Sequence, residues 1–421
     1  MNPIATPLDS AVIAGVVTHT VDALTPQNLF GFNAPRQTLV GQGAVLKVGD
    51  LLQAQAARHV LIVADRAVYE RGLLAPALRS LARAAIEVTV FSGVEHEPGA
   101  GVVDRGVAML AQCGADFVLG FGGGSALDAA KAIAVLASCH CDLPALAAAD
   151  FAGVRSIGLA AVPTTAGTGS EVTDISVIIS ADGRHKVVAK QAALMPDLAV
   201  IDPSLMRELP ASITAATGTD ALTHAIEAYV ASSANPLSRA LAISAIQTIA
   251  RALPVAVGNG GKTEARLCMA LAAYKAGLAF SNSGLGLVHA ISHQVGARYD
   301  IAHGVANGIL LPHVMAFNAL VCRSEYAAIA AALGVSREGM SERQQCDAGI
   351  AAVARLLADI GLPDNLARFG GRAADFTELA AAALEDICIK ANPRCVTEAD
   401  VIQLLQQAMG PPAAPRAAAG C

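Results

Sequence analysis

The stretch that decides the fold is DFVLGFGGGSALDAAKAIAVLAS, residues 116–138. Its first part is a short apolar run, its last part carries apolar side chains at helical spacing, and a glycine triplet joins the two. That is the pattern of a buried strand turning directly into a helix. Gly122, Gly123, Gly124 and Ser125 occupy the turn. Backbone without Cβ can approach a phosphate closely, and a helix N-terminus offers free N–H groups and a favourable dipole. The competing reading is a tight turn capped by Ser125 with no ligand. A glycine triplet placed here favours phosphate.

The same alternation runs outward from that turn over residues 58–162. Upstream lie the apolar run HVLIVAD, the helical pattern AVYERGLLAPALRSLARAA, the run IEVTVFSGV and the helical pattern AGVVDRGVAMLAQCG; downstream lies SIGLAAVPTT. Strands separated by helices imply parallel βαβ units with both faces of the sheet covered. After LAVIDPSLMRELP the strand signals stop, and from about Ala211 the pattern is helical. The expected fold is therefore an α/β domain with a parallel-sheet dinucleotide-binding core at 28–208, followed by an all-α domain at 209–410. Residues 1–27 form an extension, and the Pro/Ala-rich end, 411–421, reads as a disordered tail. No repeat of fixed period is present.

Composition narrows the function. In 421 residues the net charge is -6, there is no Trp, and no basic face stands out, so nucleic acid is excluded as a partner by the need for clustered Lys and Arg. Nine cysteines without a CxxC read as reduced thiols, not a disulfide frame. The CHC run at 139–141 is too tightly spaced for the usual zinc patterns. No Lys or Arg precedes Arg36, which argues against a secretory or transit leader, and no uninterrupted apolar run reaches bilayer-spanning length. The expectation is a cytoplasmic protein without membrane partners.

Two further loops and two residue pairs carry chemistry. Asp65 ends HVLIVAD, where it is either a helix cap or a ribose ligand. The usual dinucleotide fingerprint has its glycines before the acid, whereas here Asp65 precedes them. PTTAGTGSEVT, 163–173, offers Thr164, Thr165, Thr168 and Ser170 after an apolar run, where ligands sit in open α/β sheets. TGTDALTHAIEAY places Asp220 and His224 four apart, and VHAISHQ places His289 and His293 four apart, so each pair leaves one helix face. His303 follows ten residues later. Singly, each pair is as well explained by a surface contact or a buried network. Jointly, a carboxylate and several imidazoles on helices match how bundles hold metals, and mixed N/O ligation suits Fe(II) or Zn(II) over Mg or Ca.

Four motifs in order, GGGSALDAAK, PTTAGTGSEVT, DALTHAIEAY and GLGLVHAISHQVGARYDIAHGVANGILLPH, resemble the iron-containing alcohol dehydrogenases, relatives of glycerol dehydrogenase and dehydroquinate synthase. The resemblance runs from about residue 30 to 410. It implies Asp220, His224, His289 and His303 as metal ligands, and His293 as a non-ligand histidine near the substrate. It implies Gly122, Gly123, Gly124 and Ser125 at the pyrophosphate, and Thr164, Thr165, Thr168 and Lys186 as further cofactor contacts. Asp65 would lie at the adenosine ribose, favouring NAD over NADP, and Phe280 would line the substrate pocket. His313 is given a structural role. VEHEPGAG, 94–101, stands where the family has a Pro-rich turn, which alters the contacts expected near the adenine.

The implied activity is interconversion of an alcohol and its aldehyde or ketone by hydride transfer to NAD(P). The metal is Fe(II), with Zn(II) as substitute, and the state is a homodimer or larger. The alternatives are a dehydroquinate synthase-like metal lyase, a hydroxyacid–oxoacid transhydrogenase and a non-catalytic relative. A hydrolytic metal centre is disfavoured because no HExxH-like arrangement is present.

Overall fold

The computed structural model describes residues 29–410, apart from 96, 184 and 185; the N-terminal extension and the C-terminal tail lie outside the described residues. The compact unit that holds every element below begins at Asn33. In chain order the strands are β1 (Gln37–Val40), β2 (His59–Asp65), β3 (Glu87–Val94), β4 (Phe117–Gly122), β5 (Gly158–Pro163), β6 (Ile175–Ile179), β7 (Lys186–Lys190) and β8 (Leu198–Ile201). Six of them form one sheet in the order β1-β8-β5-β4-β2-β3, with every neighbouring pair parallel.

The helices of this first part are α1 (Val48–Ala54), α2 (Arg66–Glu70), α3 (Ala75–Arg83), α4 (Ala100–Cys113), α5 (Gly124–Cys139) and α6 (Leu143–Ala147). Both faces of the sheet are dry. Val60, Ile62, Phe117 and Leu119 join one core with Leu52 and Leu81, while Leu61, Val63 and Val118 join another with Val103 and Ile133. Alternate residues of one strand thus enter opposite cores, which is why these strands read as continuous apolar runs.

The sheet order fixes where a ligand can sit. From β2 the chain passes to β3 on one side, and from β4 it passes to β5 on the other. The crevice at the C-terminal ends of β2 and β4 is therefore the switch point, the favoured ligand position in an open parallel sheet. Asp65 ends β2 and Gly122 ends β4.

The expected fold class is met, with local differences. The pattern at 67–85 is two helices, not one. Gly72 adopts φ 70 between them, and Pro76 sits in the first turn of α3. The antiparallel hairpin β6–β7 and the short edge strand β1 are additions to the expected elements.

The helical part comprises α7 (Ala211–Val230), α8 (Pro236–Gly258), α9 (Thr263–Ser281), α10 (Leu287–Tyr299), α11 (His303–Asn318), α12 (Arg323–Ala332), α13 (Glu342–Asp359), α14 (Phe376–Glu385) and α15 (Glu398–Ala408). Capping boxes start three of them, Asn235 with Ser238, Ser341 with Gln344 and Thr397 with Asp400. α7 is buried along most of its length, and its Ala221, Ala225 and Gly218 let neighbouring helices approach closely. Among the described residues α8 alone is long and apolar enough to cross a membrane. Its Ala245, Ile246, Ile249 and Leu253 belong to the core of this part.

Candidate metal centre and nucleotide site

The three glycines of the turn do different work. A Cβ on Gly122, whose φ is +154, would lie 2.1 Å from Asp65 Oδ2, and one on Gly124 would lie 2.7 Å from Thr168 Cγ2. Gly122 thus lets the Asp65 carboxylate reach the turn, where Oδ2 accepts the Gly123 N–H at 2.8 Å. Gly124 lets the second loop close over the first. Gly123 is the N-cap of α5 and has no side-chain cap bond. Ser125 therefore lies inside the helix and is not its cap, contrary to the ligand-free reading. The dipole at the start of α5 favours an anion, although the Gly123 N–H is already held by the Asp65 carboxylate.

The loop Thr164–Ser170 is pinned beside this turn. The Thr164 N–H donates to Gly122 O at 2.9 Å, and Ser170 Oγ donates to Asp128 of α5. Lys131, 1% exposed, donates to Thr173 Oγ1 at 2.9 Å and to Ile175 O at 2.8 Å. Beside Lys131, burial pushes the Glu171 carboxyl up to about 7. Lys186 stands apart from the two loops' own bonds. It opens β7, and its ammonium meets Glu97 of the altered turn at 2.7 Å, next to the Ile179 N–H donating to Pro98 O at 2.9 Å.

The same loop touches the helices that carry the histidines. A Cβ on Gly167 would fall 2.7 Å from Thr217 Cβ of α7, and one on Gly169 would fall 2.6 Å from Gly277 Cα of α9. One turn beyond Gly277, the Phe280 ring stacks on His224 with centroids 4.4 Å apart. Thr168, Gly169, Gly277 and Phe280 link the glycine turn to the histidine cluster through a run of packed contacts.

Asp220 and His224 leave α7 together, His289 comes from α10, and His303 opens α11. The Nε2 atoms of His224, His289 and His303 lie 3.5, 3.8 and 3.4 Å from Asp220 Oδ1. These four residues offer ligand atoms all within 4.8 Å of one another. Groups bonded to a common ion at ~2.1 Å sit roughly 3.0–3.4 Å apart when adjacent, so the spacing fits a cation between them. Direct hydrogen bonds would be shorter. Asn307, one turn after His303, donates its amide to Asp220 Oδ1 at 2.9 Å, while its own Oδ1, fully buried, has no hydrogen-bond partner. The same amide nitrogen lies 3.3 and 3.2 Å from His289 Nε2 and His303 Nε2, so the ring nitrogens converge on one small polar space where a shared group would satisfy them.

The electrostatics of the metal-free cluster divide its imidazoles. Burial pulls His224 down to about 4, so its ring is neutral and its lone pair available. Burial works against a charged Asp220, but the facing imidazoles more than reverse it and hold the carboxyl well below its ordinary range. Burial also opposes charge on His289, yet Glu227 and Asp220 together raise it to about 9, so in the metal-free cluster this ring is protonated and a cation binds there by displacing the Nε2 proton. His303 is the open side of the cluster, with 37% of its side chain exposed, against 1% for His289.

Spacing put His293 on the face of His289, and the two rings meet edge-on with centroids 6.0 Å apart, but His293 does not join the four converging ligands. Its Nδ1 meets Asp386 Oδ2 at 2.8 Å, and it stacks on His303 with centroids 5.4 Å apart. His293, Asp386 and Cys388 form a separate group. Neither CHC cysteine nor His313 joins a cluster of metal-ligating side chains among the described residues. Asn307, Glu227 and Asp386 escaped the sequence reading. Glu227 and Asn307 had visible signals, three residues after His224 and four after His303 on the same helices; Asp386 had none.

Residues 35–203 match the family described as iron-containing alcohol dehydrogenase, and residues 214–409 match the Fe-containing alcohol dehydrogenase family, C-terminal. The chain is 44% identical to the probable alcohol dehydrogenase EutG of Salmonella typhimurium, over 91% of this chain and 95% of that protein. It is 39% identical to the NAD-dependent methanol dehydrogenase of Bacillus methanolicus, over 90% and 99%. The crystal structure of a 1,3-propanediol oxidoreductase superposes with a TM-score of 0.87 at 38% identity, covering 91% of this chain and all of that one. Fold and comparisons together define an oxidoreductase of the alcohol–aldehyde class. The chain belongs to the iron-containing alcohol dehydrogenase family. The matches support this reading and not the lyase or transhydrogenase alternative.

Proposed function

We propose that the chain oxidises a small alcohol, or reduces the matching aldehyde, at a cation held by Asp220, His224, His289 and His303. The observation that carries this reading is the convergence of three imidazole nitrogens within 3.4–3.8 Å of one buried carboxylate oxygen. Four protein ligands suit Fe(II), whose coordination expands to admit a substrate, with Zn(II) as the substitute. When bound, the cation supplies a Lewis acid for the substrate oxygen, and the nicotinamide supplies the hydride acceptor.

The chain's own groups do the rest. Gly122, Gly123, Gly124 and Ser125 let a pyrophosphate approach the backbone at the start of α5, where the helix dipole favours it. Thr164, Thr165 and Thr168 add hydroxyls from the second loop, and Lys186 adds a charge once Glu97 releases it. Asp65 binds the adenosine ribose and disfavours the 2′-phosphate of NADP. Phe280, stacked on His224, borders the substrate beside the metal and excludes water. His293 gives its Nδ1 proton to Asp386 in a hydrogen bond, so Nε2 is the atom that accepts or returns the substrate proton. Residues 28–208 act as the nucleotide half and 209–410 as the metal half. The eight described cysteines are all free thiols, which supports a reducing cytoplasmic setting, and the family resemblance supports a homodimer or larger assembly.

The test is an anaerobic screen of short alcohols and aldehydes with NAD(H) and NADP(H) on iron-loaded protein. A steady change at the nicotinamide absorbance band with at least one alcohol–aldehyde pair, larger with NAD, is expected. No change with any pair would overturn the proposal.

A further inference from the structure

The ligand cluster rests on a second layer of buried groups, and one of them has the geometry to control it. Glu227 is 4% exposed and follows His224 by three residues on α7, leaving nearly the same face one turn further along. Its Oε2 lies 2.6 Å from His289 Nδ1, and its Oε1 accepts the Val288 N–H at 2.7 Å. Both oxygens are thus used by the first turn of α10. Gly286, the N-cap of that helix, contributes no side-chain cap, and a Cβ there would come within 3.0 Å of Oε1. The helix is built to receive this carboxylate.

We propose that Glu227 is a positioning residue of the metal centre, one that fixes the tautomer and aim of His289. The inference rests on the reading of His289 as a ligand. A neutral imidazole carries one N–H. With a carboxylate 2.6 Å from Nδ1, that proton belongs on Nδ1, and Nε2 keeps the lone pair that faces Asp220, His224 and His303. A carboxylate on the far nitrogen also makes the imidazole a stronger donor. Charge gives a second reason. A divalent cation in this cluster meets one negative charge at Asp220, and Glu227 adds a second through His289, so together they match its charge on the buried side.

The other role open to Glu227 is to cap α10 through Oε1, without effect on the cation. Glu227→Gln separates the two. Its amide oxygen can still accept the Val288 N–H, but its NH2 cannot accept from His289, so the imidazole proton is driven to Nε2 and toward the cation. In a chelator competition with Zn(II), the variant is expected to bind about 10–100-fold more weakly than wild type, at an unchanged melting temperature of the metal-free chain. Equal affinity in the two proteins would overturn the proposal while leaving the ligand reading intact. Wild type failing to bind one Zn(II) per chain would overturn the ligand reading itself.

A second measurement needs no variant. In Zn(II)-loaded wild type labelled with 15N-histidine, the His289 proton is expected on Nδ1. A proton on Nε2, or a metal-bound Nδ1, would overturn the proposal.

Discussion

His293 Nδ1 lies 2.8 Å from Asp386 Oδ2, and Asp386 Oδ1 accepts the Cys388 N–H at 2.9 Å. The carboxylate is held by backbone on one side and orients an imidazole on the other, which puts the His293 proton on Nδ1 and the lone pair on Nε2. His293→Ala should keep the metal and slow turnover by about 100-fold, the usual scale for a lost proton-transfer group. Asp386→Asn should act in the same direction through loss of the tautomer. Metal analysis beside steady-state rates checks both, and metal lost from His293→Ala would return that residue to the ligands.

Asp65 reaches the glycine turn because Gly122 has no side chain, and its Oδ2 is tied to the Gly123 N–H. A 2′-phosphate brought to the ribose would meet that charge. Asp65→Ser should therefore raise kcat/KM with NADP relative to NAD by about tenfold, the size of one unfavourable contact of roughly 1.4 kcal/mol. An unchanged ratio would remove Asp65 from cofactor choice.

Gly169 and Gly277 touch backbone to backbone, where the nucleotide loop meets α9. Gly277→Ala would place a methyl 2.7 Å from Val172 Cγ2 and 2.9 Å from Gly169 Cα. Overpacking of this kind costs about 1–3 kcal/mol. A lower melting temperature and a raised KM for the dinucleotide are expected, and a variant matching wild type in both would show that the contact is slack.

These contacts mark the limit of what the sequence made legible. β2 occupies His59–Asp65 as its apolar run suggested, because a strand buried on both faces leaves a local signature. The i,i+4 spacing of Asp220 and His224 carried through to a shared cluster because one turn of a helix puts both side chains on the same face. The equal spacing of His289 and His293 did not, since their rings turn to partners on other elements. Asp386 is 93 residues from His293, and Glu227 is 62 from His289, separations that no periodicity encodes. The hairpin β6–β7 escaped notice because its strands are short and only half buried.

Burial raises the Glu171 carboxyl to about 7, against the pull of its own backbone N–H and of Lys131. The folded chain therefore holds a proton there that the unfolded chain releases near pH 4.5. Between those values the unfolded state binds fewer protons, so this group lowers stability as pH rises from about 4.5 to about 7. Thermal melts of wild type and Glu171→Gln across that window check the sign. The variant should lose part of the decline, and parallel curves would assign the decline to other groups.

Loading wild type, His289→Ala and His303→Ala with iron under anaerobic conditions, and measuring bound iron and alcohol-dependent NAD reduction on the same samples, tests the centre most directly. Wild type should hold one iron per chain and turn over, and each variant should lose both together. A variant that keeps its iron and its rate would contradict the assignment of a single cation to Asp220, His224, His289 and His303.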